Sequence, residues 1–159
     1  MTNNISVIGL GKLGGTMAAC LAAKNFNVIG YDIDEKSVNA LNNGLAPVYE
    51  NGLQDLINSN KERISATKDI NFAINNTDIS FIVVPTPSRN DGSFSLEYVI
   101  TAMEEIGTAI RKKSDYHVVV LTSTVLPGSS RSFLIPTIEK YSKKTFKKDF
   151  GYCYNPEFI

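Results

Sequence analysis

Short β-branched runs alternate along this chain with longer amphipathic stretches, the pattern expected of a parallel sheet covered by helices on both faces. The runs at residues 5–8, 28–31, 64–67, 79–84, 118–121 and 152–154 predict six strands. Phe81, Ile82, Val83 and Val84 are continuously apolar, as are Val118, Val119, Val120 and Leu121, which suits strands buried on both faces near the middle of the sheet. Between the first two strands, Leu13, Met17, Leu21 and Lys24 step by threes and fours, and Ala18, Ala19, Ala22 and Ala23 offer small surfaces for close packing on the sheet. Further helices are expected over 34–42, 52–58, 70–75, 96–112 and 129–141, with Ser95 opening the fifth and Pro136 kinking or splitting the sixth. No repeat and no linker interrupts the pattern. The expectation is therefore an α/β, doubly wound fold with a six-stranded, mostly parallel sheet, formed by residues 1–159 as one domain.

The chemistry enters with Gly9-Leu10-Gly11-Lys12-Leu13-Gly14, placed directly after the first strand and before the first helix. Gly9 permits a tight turn, Gly11 lets backbone approach a pyrophosphate, and Gly14 lets the helix pack against the strand. An anion would then rest on the helix N-terminus, where unpaired N–H groups and the positive end of the macrodipole meet it. Asp32, eighteen residues after Gly14, ends the second strand, where a carboxylate can accept from both hydroxyls of an adenosine ribose. That carboxylate should repel a 2′-phosphate, and no arginine follows to neutralise one, so NAD is favoured over NADP although Lys36 is near. Asp34 reads instead as a helix cap.

The ends of the fourth and fifth strands carry Val84-Pro85-Thr86-Pro87 and Ser123-Thr124-Val125-Leu126-Pro127-Gly128. In an open α/β sheet the ligand lies beyond the carboxyl ends of the strands, so these loops should face the same crevice as the glycine turn, with Thr86 and Thr124 offering hydroxyls. Tyr154-Asn155-Pro156-Glu157-Phe158 places a carboxylate just past the sixth strand, beside that crevice.

Composition narrows the remaining classes. Lys plus Arg and Asp plus Glu number 16 each, so no net positive field would recruit nucleic acid or an anionic membrane. Lys143, Lys144, Lys147 and Lys148 around Phe146 read as a solvated loop. Two cysteines, Cys20 and Cys153, and a single histidine, His117, signal neither a disulfide framework nor a zinc site, which fits a reducing, cytoplasmic setting. Residues 5–23 are apolar but lack a basic leader and carry Lys12, which argues against a signal peptide. No uncharged run approaches the roughly 20 residues that cross a bilayer.

Taken together, Val7-Ile8-Gly9-Leu10-Gly11, Gly30-Tyr31-Asp32, Tyr49-Glu50-Asn51-Gly52-Leu53, Val84-Pro85-Thr86-Pro87, the Asp91-to-Leu96 turn, Ser123-Thr124-Val125 with Pro127-Gly128, and Asn155-Pro156-Glu157-Phe158 resemble the UDP-glucose/GDP-mannose dehydrogenase family over essentially the whole chain. The resemblance implies a Rossmann fold, NAD as cofactor, a nucleotide-sugar substrate and a homo-oligomeric parent enzyme. It implies oxidation of a C6 alcohol to a uronate in two NAD-dependent steps, of the kind used in polysaccharide biosynthesis, through a thiohemiacetal and a thioester on a cysteine of a later domain. It assigns pyrophosphate contacts to Gly9, Gly11, Leu13 and Gly14, the ribose contact to Asp32, and places Thr86 and Thr124 against the cofactor near the reacting centre. Glu157 would position substrate and water, a sensible place for an acceptor when a thioester must be hydrolysed. With Thr124 it is the catalytic candidate.

Three departures stand out. Lys12-Leu13 replaces a common Tyr-Val, Ser37 replaces a usual Lys or Arg, and the chain stops at Ile159 before the nucleophilic cysteine of the family pattern. Cys20 in the first helix and Cys153 in the sixth strand match no such cysteine and are expected in the core. Two other readings account for part of the pattern. A 3-hydroxyacyl or β-hydroxyacid dehydrogenase would explain the glycines and Asp32 but not Val84-Pro85-Thr86-Pro87 or Asn155-Pro156-Glu157-Phe158. A non-catalytic NAD-sensing module would fit a domain of this length.

Overall fold

A computed structural model of the chain describes residues 4–88 and 94–157. Asp91, Gly92 and Ser93 of the expected turn, and Phe158, lie outside the described residues. Six strands, β1 (Asn4–Ile8), β2 (Asn27–Tyr31), β3 (Ile64–Thr67), β4 (Ile79–Ile82), β5 (His117–Leu121) and β6 (Phe150–Tyr154), form one sheet in the order β3-β2-β1-β4-β5-β6. Every neighbouring pair is parallel, so the expected mostly parallel sheet is wholly parallel. The order reverses between β1 and β4, which sit side by side, and this is where a doubly wound sheet opens a crevice.

Helices α1 (Lys12–Ala23), α2 (Glu35–Asn42) and α3 (Leu53–Asn60) cover one face, over a core that includes Val7, Leu10, Val28, Leu41 and Ile57. Helices α4 (Ile70–Asn75), α5 (Glu97–Lys112) and α6 (Ile135–Ser142) cover the other, over Ile8, Ile82, Met103, Leu121 and Phe150. The buried face of α1 is made by Gly14, Gly15, Ala18, Ala19 and Ala22, while Leu13, Met17 and Leu21 are only half-buried. The small residues, not the larger stripe, set the close helix–sheet approach. Asp34 caps α2 by accepting from the Lys36 and Ser37 N–H groups, and Asp69 caps α4 in the same way. Ser95 Oγ accepts from the Glu97 N–H at 3.4 Å, a long bond at the start of α5. Ahead of α6, Ser130–Leu134 forms a π-helical turn. Pro136 has no N–H to bond back to Ser132, which loosens the turn before it, so the sixth helix is split where expected.

β4 ends at Ile82, two residues earlier than the apolar run suggests, because the backbone turns toward Pro85 and Pro87, which cannot donate to a ladder. The cysteines are also not where expected: both are exposed. Cys20 lies off the small-residue stripe of α1, and Cys153 lies near the end of β6, an edge strand whose last residues are exposed.

The N-terminal ends of β1, β4 and β5 hold a buried polar cluster. Lys113 Nζ donates to the carbonyls of Ile74 and Thr77 at the end of α4 and lies 3.1 Å from His117 Nδ1. His117 Nε2 is 2.8 Å from Ser80 Oγ, which in turn bonds Ser6 Oγ. His117 Nδ1 also lies 3.1 Å from the Thr77 carbonyl, so Lys113, the imidazole and the two serine hydroxyls form one continuous buried polar chain.

Candidate functional site

At the other rim of the sheet, the C-terminal ends of β1, β2, β4 and β5 open onto a crevice of about 730 Å³. Its wall includes Gly9, Gly11, Leu13, Gly14, Asp32, Thr86, Thr124 and Glu157. Every residue assigned to cofactor or catalysis from the sequence is thus brought to one cavity.

The three glycines have separable reasons. Gly9 adopts φ +99°, its N–H donates to the Tyr31 carbonyl at 2.8 Å, and a Cβ there would lie 2.3 Å from the Val83 carbonyl oxygen. A Cβ on Gly14 would lie 1.8 Å from the Gly9 carbonyl oxygen. The fold itself excludes side chains at both positions. At Gly11 a Cβ would meet nothing within 4 Å. Nothing in the described fold itself requires a bare backbone there. Gly11 also stands at the N-cap of α1 with no side-chain cap, which leaves the first helical N–H groups free for an anion.

Asp32 is fixed before any ligand arrives. Its Oδ2 accepts from the Leu10 N–H at 2.6 Å and its Oδ1 from the Asp34 N–H at 2.8 Å, so one carboxylate spans the glycine turn and the start of α2. Ser37, at the position of the family's usual cation, donates its hydroxyl to Asp34 Oδ2 at 2.9 Å. Lys12 and Glu50 pair at 3.0 Å across the surface between the start of α1 and the Tyr49-to-Leu53 segment. A smaller concavity of about 400 Å³ runs along that segment, lined by Pro47, Tyr49 and Gln54 among others.

The two proline-bearing loops are cross-linked by a residue that sequence reading placed in a motif without a role. Ser123 Oγ accepts from the Val84 N–H at 3.0 Å and donates to the Val84 carbonyl at 2.7 Å. Tyr154 Oη reaches both the N–H and the carbonyl of Val125 at 3.2 Å, tying the end of β6 to the loop that carries Thr124. Beside these loops the hydroxyl of Thr122 is buried without a partner among the described residues, on the wall of the crevice.

Helix α5 forms the remaining wall with Tyr98, Thr101, Ala102 and Glu105, one stripe at helical spacing. Tyr31 Oη donates to Glu105 Oε2 at 3.1 Å, and burial, reinforced by the Glu105 charge, pushes the phenol up to about 12. These residues went unnoticed in the sequence because a polar stripe on a helix with an opposite apolar face has the signature of a solvated surface. Among the described residues no group of His, Cys, Asp and Glu is arranged to hold a metal ion, and no helix is long and apolar enough to cross a membrane.

An all-parallel doubly wound sheet with a glycine turn, a fixed carboxylate at the end of β2 and a crevice at the switch point defines a dinucleotide-binding Rossmann domain of the dehydrogenase kind. Residues 3–159 match the profile of the UDP-glucose/GDP-mannose dehydrogenase family, NAD binding domain. The chain is 43% identical over 157 residues to a GDP-mannose 6-dehydrogenase of Pseudomonas aeruginosa, covering 98% of this chain and 36% of that protein. It is 40% identical over 156 residues to a UDP-glucose 6-dehydrogenase of Haloferax volcanii, with the same coverage of both. Among solved structures, a ternary complex of the Pseudomonas aeruginosa GDP-mannose dehydrogenase superposes with a TM-score of 0.94 at 43% identity, over 98% of this chain and 36% of that one. A UDP-glucose dehydrogenase of Pyrobaculum islandicum superposes with a TM-score of 0.92 at 33% identity, over all of this chain and 37% of that one. This chain belongs to the UDP-glucose/GDP-mannose dehydrogenase family, whose NAD-binding domain it forms. It spans about a third of the length of the curated relatives it matches.

The crevice fits the dinucleotide on its own terms. Open space over Gly11, free N–H groups at the start of α1, a pre-set acceptor at Asp32 and an unpartnered buried hydroxyl at Thr122 are features a bound NAD would use.

Proposed function

We propose that this chain is the cofactor-binding part, over residues 1–159, of a nucleotide-sugar 6-dehydrogenase that oxidises the C6 alcohol of a UDP- or GDP-linked sugar to a uronate in two NAD-dependent steps. The observation that carries this reading is the convergence of the glycine turn, Asp32, both threonine loops and Glu157 on one crevice. Gly9, Gly11, Leu13 and Gly14 would hold the pyrophosphate, Asp32 the adenosine ribose, and Thr86 and Thr124 the nicotinamide end. Bound there, NAD supplies the hydride acceptor. Glu157 is exposed on the crevice wall, where it can orient substrate or accept a proton from water during thioester hydrolysis, with Thr124 beside the reacting centre.

The covalent hold on the intermediate lies outside this chain. An alcohol-to-acid oxidation must retain the aldehyde between hydride transfers, and Cys153, though exposed, is not among the residues lining the crevice. The 159-residue chain should therefore bind NADH but turn over no nucleotide sugar, whereas the full-length parent forms two NADH per sugar oxidised. Turnover by the 159-residue chain that disappears in Cys153→Ser would overthrow this division of labour, and one NADH per sugar from the parent would point to an ordinary alcohol dehydrogenase. A cytoplasmic parent without nucleic-acid partners completes the reading, supported by two unpaired cysteines and a balanced charge, and the family resemblance implies that it is homo-oligomeric.

A further inference from the structure

The far end of the crevice, past Asp32 on the side of β2, carries more built structure than ribose binding requires. In a sheet of this order the glycine turn after β1 marks the pyrophosphate, so the adenosine half extends toward β2 and the nicotinamide half toward β4 and β5. On the β2 side the walls are Ile33 and Tyr98, apolar side chains left 77% and 52% exposed in the free chain, and these are suited to the two faces of a planar base. Besides the Tyr98 phenol, the polar groups of α5 on that wall are Thr101, whose hydroxyl already donates to the Glu97 carbonyl at 3.0 Å, and Glu105.

We propose that Glu105, held in place by Tyr31, accepts a hydrogen bond from the exocyclic amino group of the adenine ring and makes the site selective for a 6-aminopurine over a 6-oxopurine. The inference rests on NAD occupying this crevice. A carboxylate only accepts, adenine presents an amino donor at position 6, and a 6-oxopurine presents a carbonyl oxygen there, which the carboxylate repels. Tyr31 sits in the core beneath the crevice, only 8% exposed, and its hydroxyl occupies Glu105 Oε2. Oε1 has no partner among the described residues, which leaves one acceptor with a fixed position for the base. Glu105 is half-buried, so its charge is only partly screened where the base edge would meet it. Tyr31 acts through Glu105 and is a positioning residue.

The test compares reduced NAD with reduced nicotinamide hypoxanthine dinucleotide, in which the 6-amino group becomes a 6-oxo group and N1 gains a proton, by fluorescence titration of the 159-residue chain. The chain should bind the adenine form at least about tenfold tighter, a gap of about 1.4 kcal/mol. Glu105→Gln, whose amide can donate to a carbonyl oxygen, should shrink the ratio to about threefold or less by tightening the hypoxanthine form and weakening the adenine form. Tyr31→Phe should give an intermediate ratio with the carboxylate still present but unanchored. Equal affinities in the unmodified chain would overturn the proposal without any variant having to fold, and so would an unchanged ratio in Glu105→Gln. Failure to bind either dinucleotide would instead overturn the cofactor assignment beneath it.

Discussion

Acidification from pH 7 to pH 5 should cost this domain about 2 kcal/mol of folding stability, and the loss should come from one residue. His117 is fully buried at the start of β5, and burial, reinforced by the Lys113 charge 3.1 Å from its ring, pushes its pKa down from 6.5 to about 3. Well above pH 6.5 neither folded nor unfolded chain carries the imidazole proton, and the cluster has its full stability. Below that value the unfolded chain takes up a proton that the folded chain refuses, so stability falls as pH falls and the loss levels off only near pH 3. Integrating from pH 7 to pH 5 gives about 2 kcal/mol, and any folded pKa below about 4 gives nearly the same figure. Such a loss is a sizeable share of the roughly 5–15 kcal/mol typical of a domain. The chain has a single histidine, and unfolded carboxylates titrate mainly below pH 5, so the window isolates His117. Urea unfolding at half-unit pH steps should show a falling midpoint with constant slope m, and His117→Gln should flatten that dependence after an initial cost from the altered network. Wild-type stability constant within about 0.5 kcal/mol across the window, or a slope that survives in His117→Gln, would refute the argument.

Two further outcomes follow at the opposite rim. NADH should bind at least about tenfold tighter than NADPH, and Asp32→Ala should narrow that gap while lowering stability by about 1–2 kcal/mol, because Asp32 also accepts from Leu10 and Asp34; equal affinities in the unmodified chain would remove its role. Gly11→Val should abolish NADH binding with only the small loss of stability that a poorer N-cap brings, whereas Gly14→Ala should destabilise by more than about 2 kcal/mol, since its Cβ meets the Gly9 carbonyl oxygen at 1.8 Å; calorimetry and titration on both variants separate the two, and retained affinity in Gly11→Val would place the phosphates elsewhere.

The parts of this molecule that were legible in its sequence are those that depend on neighbours along the chain. The glycine turn, the Asp34 cap and the alternation of strands and helices are local, and each residue type there has one dominant physical use. The boundaries moved where proline intervened: β4 stops before Pro85, and the sixth helix begins with a π turn ahead of Pro136. Burial of the two cysteines was misjudged because helix orientation and edge position, not residue type, decide it; Cys20 lies off the small-residue face of α1. What the sequence did not disclose are pairings across long separations, such as Ser123 with Val84, Tyr31 with Glu105, and Lys113 and His117 with Thr77. Each depends on which strands become neighbours, and the order β3-β2-β1-β4-β5-β6 is visible only once the chain has crossed over.

The strand polarity of the sheet separates stability from binding. Because all the strands run parallel, every carboxyl end lies at one rim and every amino end at the other. The crevice residues Gly11, Asp32, Thr86 and Thr124 stand at the first rim, and the Lys113–His117–Ser80–Ser6 chain stands at the second. A proton taken up by the unfolded chain at His117 therefore changes the fraction of folded molecules without changing the crevice of those that remain folded. Titration of the oxidised cofactor at pH 7 and pH 5.5, under conditions where the chain stays folded, should give dissociation constants that agree within about twofold, even as the urea midpoint falls. A weakening of about fivefold or more would mean that a group at the crevice titrates in the same window, and the separation of the two rims would fail.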